Sequence, residues 1–264
     1  MTDIAAVARV VAAWTGALGD PEGAVTVLVP VLSPAVVGAF PTDAAEGPDA
    51  VARAAASPRL LAAMDGAVWS EPVVDGSTVR IRATAPAGAV IGGLEVAFGV
   101  DDGLVTRVDQ TLVPAPPAEI RPVSLLGPVA EAIDDALAKA VPVVVAYVDA
   151  DGQPSLSLRG SVKVNSDTEL QIWIRKAEGG LAGALAANDR LTFWYRNTAE
   201  RATLQIKGRG RVVADEATRQ AIYDSTVEPE RRADAQCKGV GVLVEVDRVD
   251  GRLASGGVRM VRPG

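Results

Sequence analysis

The chain has 264 residues, with 33 carboxylates against 26 basic side chains, one cysteine and no histidine. The missing histidine excludes a Ser-His-Asp triad, a His-assisted thiol nucleophile and a His-ligated metal or haem; the single cysteine excludes an internal disulfide and a four-cysteine zinc site. Chemistry is left to carboxylates, Lys, Arg, Tyr, hydroxyls, backbone amides or a bound cofactor, and no metal site is expected.

Hydrophobic content of 48% is enough for packed cores, and only ten residues are aromatic, so those cores are built from Val, Leu and Ala. No apolar run approaches the ~20 residues that span a bilayer, and the opening stretch reads as an amphipathic helix rather than a signal peptide. With the lone Cys237, these features point to the cytoplasm and away from a membrane. Charge is unevenly placed. Residues 1–118 hold thirteen carboxylates and six arginines, whereas residues 119–264 hold twenty of each sign. The break falls in the proline-rich "VPAPPAEIRPVS" (Val113–Ser124), which reads as a linker. The expected domains are 1–116 and 117–264. The acidic first half argues against a nucleic-acid partner, which needs a clustered basic face.

In the first half, Ile4, Val7, Val10, Val11, Trp14 and Leu18 recur at helical spacing. A second helical stretch is expected over about 22–38, interrupted by Pro30 and Pro34, and a third over 47–64, with Pro48 at an early helix position. The pattern then changes to hairpins, one turning at Asp75-Gly76 and one at Asp102-Gly103. Helices first and hairpins later predict an α+β fold.

In the second half, 127–141 reads as a helix with Val129, Ile133 and Leu137 on one face. A strand, an Asp-Gly turn at 151–152, a second strand and "DTELQIWI" follow. The cations Arg175 and Lys176 stand where that third strand stops and a small-residue helix (177–190) starts. "LTFWYRN" and "RATLQIKGRGRVV" are the next strands, "DEATRQAIYDSTV" a helix, and "GVGVLVEVDRVDGRLASG" a sixth and last strand. Gly208 and Gly210 lie within a strand and open no helix, so they are not a dinucleotide fingerprint. A helix start attracts anions, and Arg175 and Lys176 would add full charges there. Arg159 and Lys163, four apart, would share one strand face, as would Thr203, Gln205 and Lys207.

The first half resembles the SnoaL-like, nuclear-transport-factor-2-like family in its opening helix, in "GPDAV" before a helix, and in the paired "VVDGSTVRIRA" and "LEVAFGVDDGLVTRVDQ" strands. The resemblance implies a cone-shaped sheet wrapped round helices, enclosing an apolar pocket. Asp65, Glu71, Glu95 and Asp109 are its candidate carboxylates, and the plain reading is that they are solvated strand and turn residues. The second half resembles the FMN-binding split β-barrel of pyridoxamine 5′-phosphate oxidase-like proteins. The resemblance rests on "DGQPSLSLRGSV", "IWIRKAEGGLAGALAANDRLTFWY", "RATLQIKGRGRVV" and "GVLVEVDRVDG", over about residues 125–250.

It implies that Arg175 and Lys176 hold the FMN phosphate, which either Arg159 or Lys163 could also reach, that the backbone of Trp173 and Ile174 runs along the isoalloxazine, and that Thr203 or Gln205 lies near the ring or phosphate. A deazaflavin coenzyme, whose tail is also anionic, is the alternative cofactor. It further implies a homodimer and a flavin-dependent oxidoreductase acting on a small organic substrate, with no catalytic side chain identified. The family's C-terminal Arg-Leu-His-Asp-Arg motif is missing from "GRLASGGVRMVRPG", so oxidation of pyridoxamine phosphate itself is not expected. Two other readings stay open: a non-catalytic flavin or ligand binder, and isomerase or hydrolase chemistry in the N-terminal cone.

Overall fold

The computed structural model describes residues 4–17, 23–57, 64–86 and 89–263. The chain divides into two compact units, Met1–Pro116 and Pro117–Gly264. Both combine sheets with helices, so the fold is α+β. Among the described residues no helix is long and apolar enough to cross a membrane.

The first unit opens with α1 (Ile4–Ala17), which buries Val7, Val10, Trp14 and Ala17 at the expected helical spacing. Leu18 and residues 58–63 of the anticipated third helix lie outside the described residues. The expected helix over 22–38 is corrected. Only α2 (Ala24–Leu28) is helical, followed by a 3-10 turn at Val29–Val31 and then strand β1 (Leu32–Ala39). Pro34 has no amide to donate to a helix and clashes with the preceding turn, and the β-branched Val36 and Val37 favour the extended chain. After β2 (Ala44–Glu46), α3 (Pro48–Ala55) starts on a proline as read from the sequence.

The strands β3 (Val68–Trp69), β4 (Val73–Asp75), β5 (Thr78–Thr84), β6 (Ile91–Asp101) and β7 (Leu104–Pro114) complete a sheet in the order β2-β1-β7-β6-β5-β3, with β4 also paired to β5. Only β1 and β7 run parallel; every other neighbouring pair is antiparallel. The second hairpin turns at Asp102-Gly103 as the sequence placed it, and the first turns at Gly76-Ser77, one residue later than expected, because Asp75 still pairs with Thr78. Asp102 and Gly103 have φ of 46° and 75°. Positive φ at both central residues is what a two-residue type I′ turn requires. Along β5 and β6, Val79, Ile81, Ala83, Leu94, Val96 and Phe98 face the helices, while Arg80, Arg82 and Glu95 face outward. Trp14 meets Phe98 edge-on, with ring centroids 5.8 Å apart.

The second unit contains β8 (Arg121–Pro122), α4 (Pro128–Asp134), β9 (Val143–Val148), β10 (Pro154–Arg159), β11 (Lys163–Val164) and β12 (Glu169–Ile174). These are followed by α5 (Gly180–Ala184), β13 (Arg190–Asn197), β14 (Ala202–Val212), α6 (Glu216–Ser225), α7 (Glu228–Ala233), β15 (Val240–Leu253) and β16 (Gly256–Val261). The sheet runs β10-β9-β13-β14-β15-β12-β11, with β16 added on β15 and β8 parallel to β16.

Sequence reading missed β16, where the final strand folds back on β15, and it missed α7. The helix expected over 177–190 is five residues long. Gly179 and Gly180 hold φ of 71° and 52°, outside helical geometry, and glycine weakens a helix. The main core is formed by the inward residues of β9, β12, β13, β14 and β15, with Leu125, Val129, Ile133 and Leu181 packed onto them. Asp215 caps α6: its Oδ2 accepts from the Thr218 amide at 2.7 Å and from the Thr218 hydroxyl at 2.6 Å.

Candidate functional site

The expected site residues all lie in the second unit, but they separate into four places. On β10 alternation turns Ser155, Ser157 and Arg159 toward the core side, opposite Tyr147, Val145 and Val143 of β9. Leu156 and Leu158 face out and are 72% and 68% exposed. Arg159 therefore ends its strand half-buried. Burial pushes its pKa down, Tyr147 and Glu230 push it up, and the positive charge of Arg175 pushes it down, for a net lowering. An arginine keeps its charge through such a shift.

Its Nε has no hydrogen-bond partner, and neither does the shielded Oγ of Ser157 on the same face of the strand. Arg175 follows β12 and lies 3.6 Å from Glu230 Oε2 on α7, through its own Nε. Glu230 pairs with Arg175 and its charge also acts on Arg159, with the exposed Lys176 next in the chain. Buried donors without partners are costly in a native fold. A phosphate brings acceptor oxygens and negative charge, so this corner has the chemistry to hold one.

Lys163 is elsewhere. The expectation that it shares a strand face with Arg159 is corrected, because β10 ends at Arg159 and β11 begins a new pairing. Lys163 pairs with Gln171 of β12, not with β9. Its Nζ donates to the Ser225 carbonyl at 3.2 Å, while Gln171 Nε2 donates to Ser225 Oγ at 2.6 Å. The lysine therefore anchors the C-terminal end of α6.

Trp173 and Ile174 offer a ligand only their backbone. Ile174 is buried in the main core, and Trp173 in a smaller cluster with Val213, Ile222 and Leu243. The Trp173 ring meets Tyr223 edge-on at 4.9 Å and lies under the Arg219 guanidinium at 5.4 Å. The Trp173 carbonyl accepts from the Ser161 hydroxyl at 2.8 Å. This network, tied by Asp234, was not legible as a unit in sequence, since Trp173 and Asp234 stand 61 residues apart.

Thr203 and Gln205 face outward on β14, whose buried partners are Ala202, Leu204 and Ile206. The register sets Arg196, Thr203 and Arg252 in one row and Trp194, Gln205 and Asp250 in the next. Asp250 takes a two-pronged contact from Arg248 and has Arg259 3.9 Å away. Pairing carries the same outward face onto Leu156 and Leu158 through Val144 and Ala146. Within one chain, then, Thr203 and Gln205 lie on the opposite side of the sheet from Ser157 and Arg159.

The first unit was expected to hold an apolar pocket. Its interior space, lined by Val10, Trp14, Leu28, Val51, Phe98 and neighbours, is about 10 Å³. That is hardly room for one water. Asp65, Glu71 and Glu95 are exposed and Asp109 is half-buried on the outward face, so none of the four enters that interior.

No protein-family model matches the chain, and no curated protein matches it. Solved structures similar to it cover about half its length. A pyridoxamine 5′-phosphate oxidase-related, FMN-binding protein from Nostoc punctiforme is 15% identical, covering 50% of this chain and 85% of its own, with a TM-score of 0.41. A Clostridium acetobutylicum protein of the pyridoxinephosphate oxidase family, related to general stress protein 26, is 10% identical, covering 48% and 90%, with a TM-score of 0.39. An F420 reductase is 17% identical, covering 41% and 88%, with a TM-score of 0.33.

Proposed function

We propose that the second unit is a split β-barrel that binds a flavin nucleotide, FMN or a deazaflavin, and that the protein is a cytoplasmic oxidoreductase acting on a small organic substrate. The observation that carries this reading is the corner at Arg159, whose shielded Nε and the nearby Ser157 hydroxyl are unpartnered, while Glu230 is paired with Arg175 and acts on Arg159 only through its charge. An anionic phosphate satisfies both groups and balances the charge. The sequence resemblance of residues 125–250 supplies the class of ligand. The first unit stands in this reading as a SnoaL-like domain that shields or delivers substrate.

When bound, a flavin accepts and releases hydride, so the protein's share is binding, orientation and electrostatics. Arg159, Arg175 and Lys176 hold the anionic tail. The backbone at Trp173 and Ile174 presents polar groups to the ring, held rigid by the cores on either side. Thr203 and Gln205 reach the same cofactor only from a second copy, since their own chain turns them away from Arg159. The exposed Leu156, Leu158 and Trp194 on that outward face give the second copy an apolar surface to bury. The protein is therefore read as a homodimer with a shared site.

The test is titration of the purified chain with FMN and with a deazaflavin coenzyme, followed by flavin fluorescence. Saturable uptake of one of them, weakened at least tenfold by Arg175→Gln, is expected. A protein that takes up neither cofactor overturns the assignment.

A further inference from the structure

On the outward face of the first sheet lies a groove of about 340 Å³, lined by Ser70, Arg80, Arg82, Glu95, Ala97 and Asp109 among others. It is separate from the interior space between the helices and the sheet. Its shape comes from strand register. Arg80, Ala97 and Asp109 stand side by side on β5, β6 and β7, and Arg82, Glu95 and Thr111 form the neighbouring row. Ala97 is the small residue in the middle of the first row, so the sheet dips between a cation and an anion. Two strand spacings separate Arg80 from Asp109, roughly 10 Å between backbones.

The charges along this groove are only loosely committed. Arg80 reaches Asp75 at 3.4 Å and Arg82 reaches Glu95 at 3.7 Å, and all four side chains are more than half exposed. Exposed pairs of this kind contribute little and exchange readily. Asp109 differs. Its Oδ2 accepts from Arg107 Nε at 2.7 Å, but its Oδ1 is shielded from solvent and has no hydrogen-bond partner. A carboxylate oxygen in that condition lacks the donor it needs.

We propose that this groove binds a small zwitterion of about dipeptide length, its ammonium donating to Asp109 and its carboxylate paired with Arg80. Along one row the groove sets Arg80, held only by its loose exposed pair with Asp75, and Asp109, one of whose oxygens lacks a donor, on either side of Ala97, and a molecule with the two opposite charges at its own ends engages both. A simple anion would leave Asp109 unmet, and a simple cation would leave Arg80 with its loose exposed pair.

The experiment uses the full 264-residue chain and three probes: glycylglycine, its N-acetyl form and its C-terminal amide. Binding is read by calorimetry and by amide shifts of 80–82, 95–97 and 109–111. Saturable binding of glycylglycine is expected, at least tenfold tighter than either blocked form. Asp109→Asn and Arg80→Gln should each weaken it at least tenfold, and Ala97→Phe should abolish it by filling the floor. Because Arg80 is exposed, Arg80→Gln leaves the melting temperature unchanged and separates loss of binding from loss of fold. No saturable binding of glycylglycine, equal binding of the blocked forms, or undiminished binding to Arg80→Gln overturns the proposal.

Discussion

The indole Nε1 of Trp173 donates to Asp234 Oδ2 at 3.1 Å, although 61 residues separate them. The same carboxylate accepts the amides of Lys238 at 3.0 Å and Gly239 at 2.9 Å. It therefore ties the loop before β15 to β12. Burial pushes its pKa up, but the two amides, the indole and the charge of Arg219 together outweigh that and hold it below the ordinary carboxylate value. A depressed folded pKa means stability that is fully present above the unfolded value, near pH 4, and lost as pH falls through the lower folded value. Asp234→Ala should cost about 3 kcal/mol, since three donors lose a charged acceptor. Urea unfolding at pH 7 checks the size. The variant's deficit should shrink below pH 4, where the parent loses its own advantage.

Arg159 gives a prediction in which stability and binding move in opposite directions. A half-buried guanidinium with an unpartnered Nε is unfavourable in the cofactor-free chain. Replacing buried charge by an apolar side chain of similar length often leaves a protein as stable or more so. Arg159→Met should therefore raise the cofactor-free stability by about 1 kcal/mol, read as a higher melting temperature. The same variant should bind FMN at least tenfold more weakly, read by fluorescence titration.

Gly208 sits at a β-bulge, where the register between β14 and β15 shifts after Lys207. A Cβ there would stand 2.3 Å from the Glu245 carbonyl oxygen, a backbone atom that cannot swing aside. Gly208→Ala should destabilise the second unit by about 2 kcal/mol or more, and chemical denaturation should show it. Gly127→Ala, with φ of 81° but open space around it, should be milder, since only backbone conformation opposes it.

The outward face of β10 and β13 exposes Leu156, Leu158 and Trp194. If that face joins two copies, Leu158→Glu should shift the protein from dimer to monomer in sedimentation velocity. It should also weaken FMN binding, because Thr203 and Gln205 would no longer reach the partner's site. A parent chain that sediments as a monomer at micromolar concentration would refute the shared site.

Local chemistry was readable from sequence and non-local pairing was not. Asp102-Gly103 announced its turn because few residues tolerate two successive positive φ values. The periodicity of Val7, Val10 and Trp14 announced a buried helix face. Residues 22–38 misled because alanines and valines mixed with prolines fit neither period well, and the parallel pairing of β1 with β7 is invisible locally. Lys163 was misplaced for a related reason: Gly160 to Val162 let the chain change partners, and strand alternation carries no signal across such a break. Arg175 and Lys176 were legible as charge at a strand end. Their neighbour Glu230 was not, since it belongs to a helix that sequence reading missed.

Strand β10 borders only β9 among the described residues, leaving its other edge without a ladder. Its sequence, Pro154-Ser-Leu-Ser-Leu-Arg159, alternates hydroxyl and leucine. An open edge with bare leucines invites another strand to zip on, which makes it a seed for disordered clumping in concentrated stocks. The imino acid at one end, which cannot donate to an added strand, is the feature that discourages such growth.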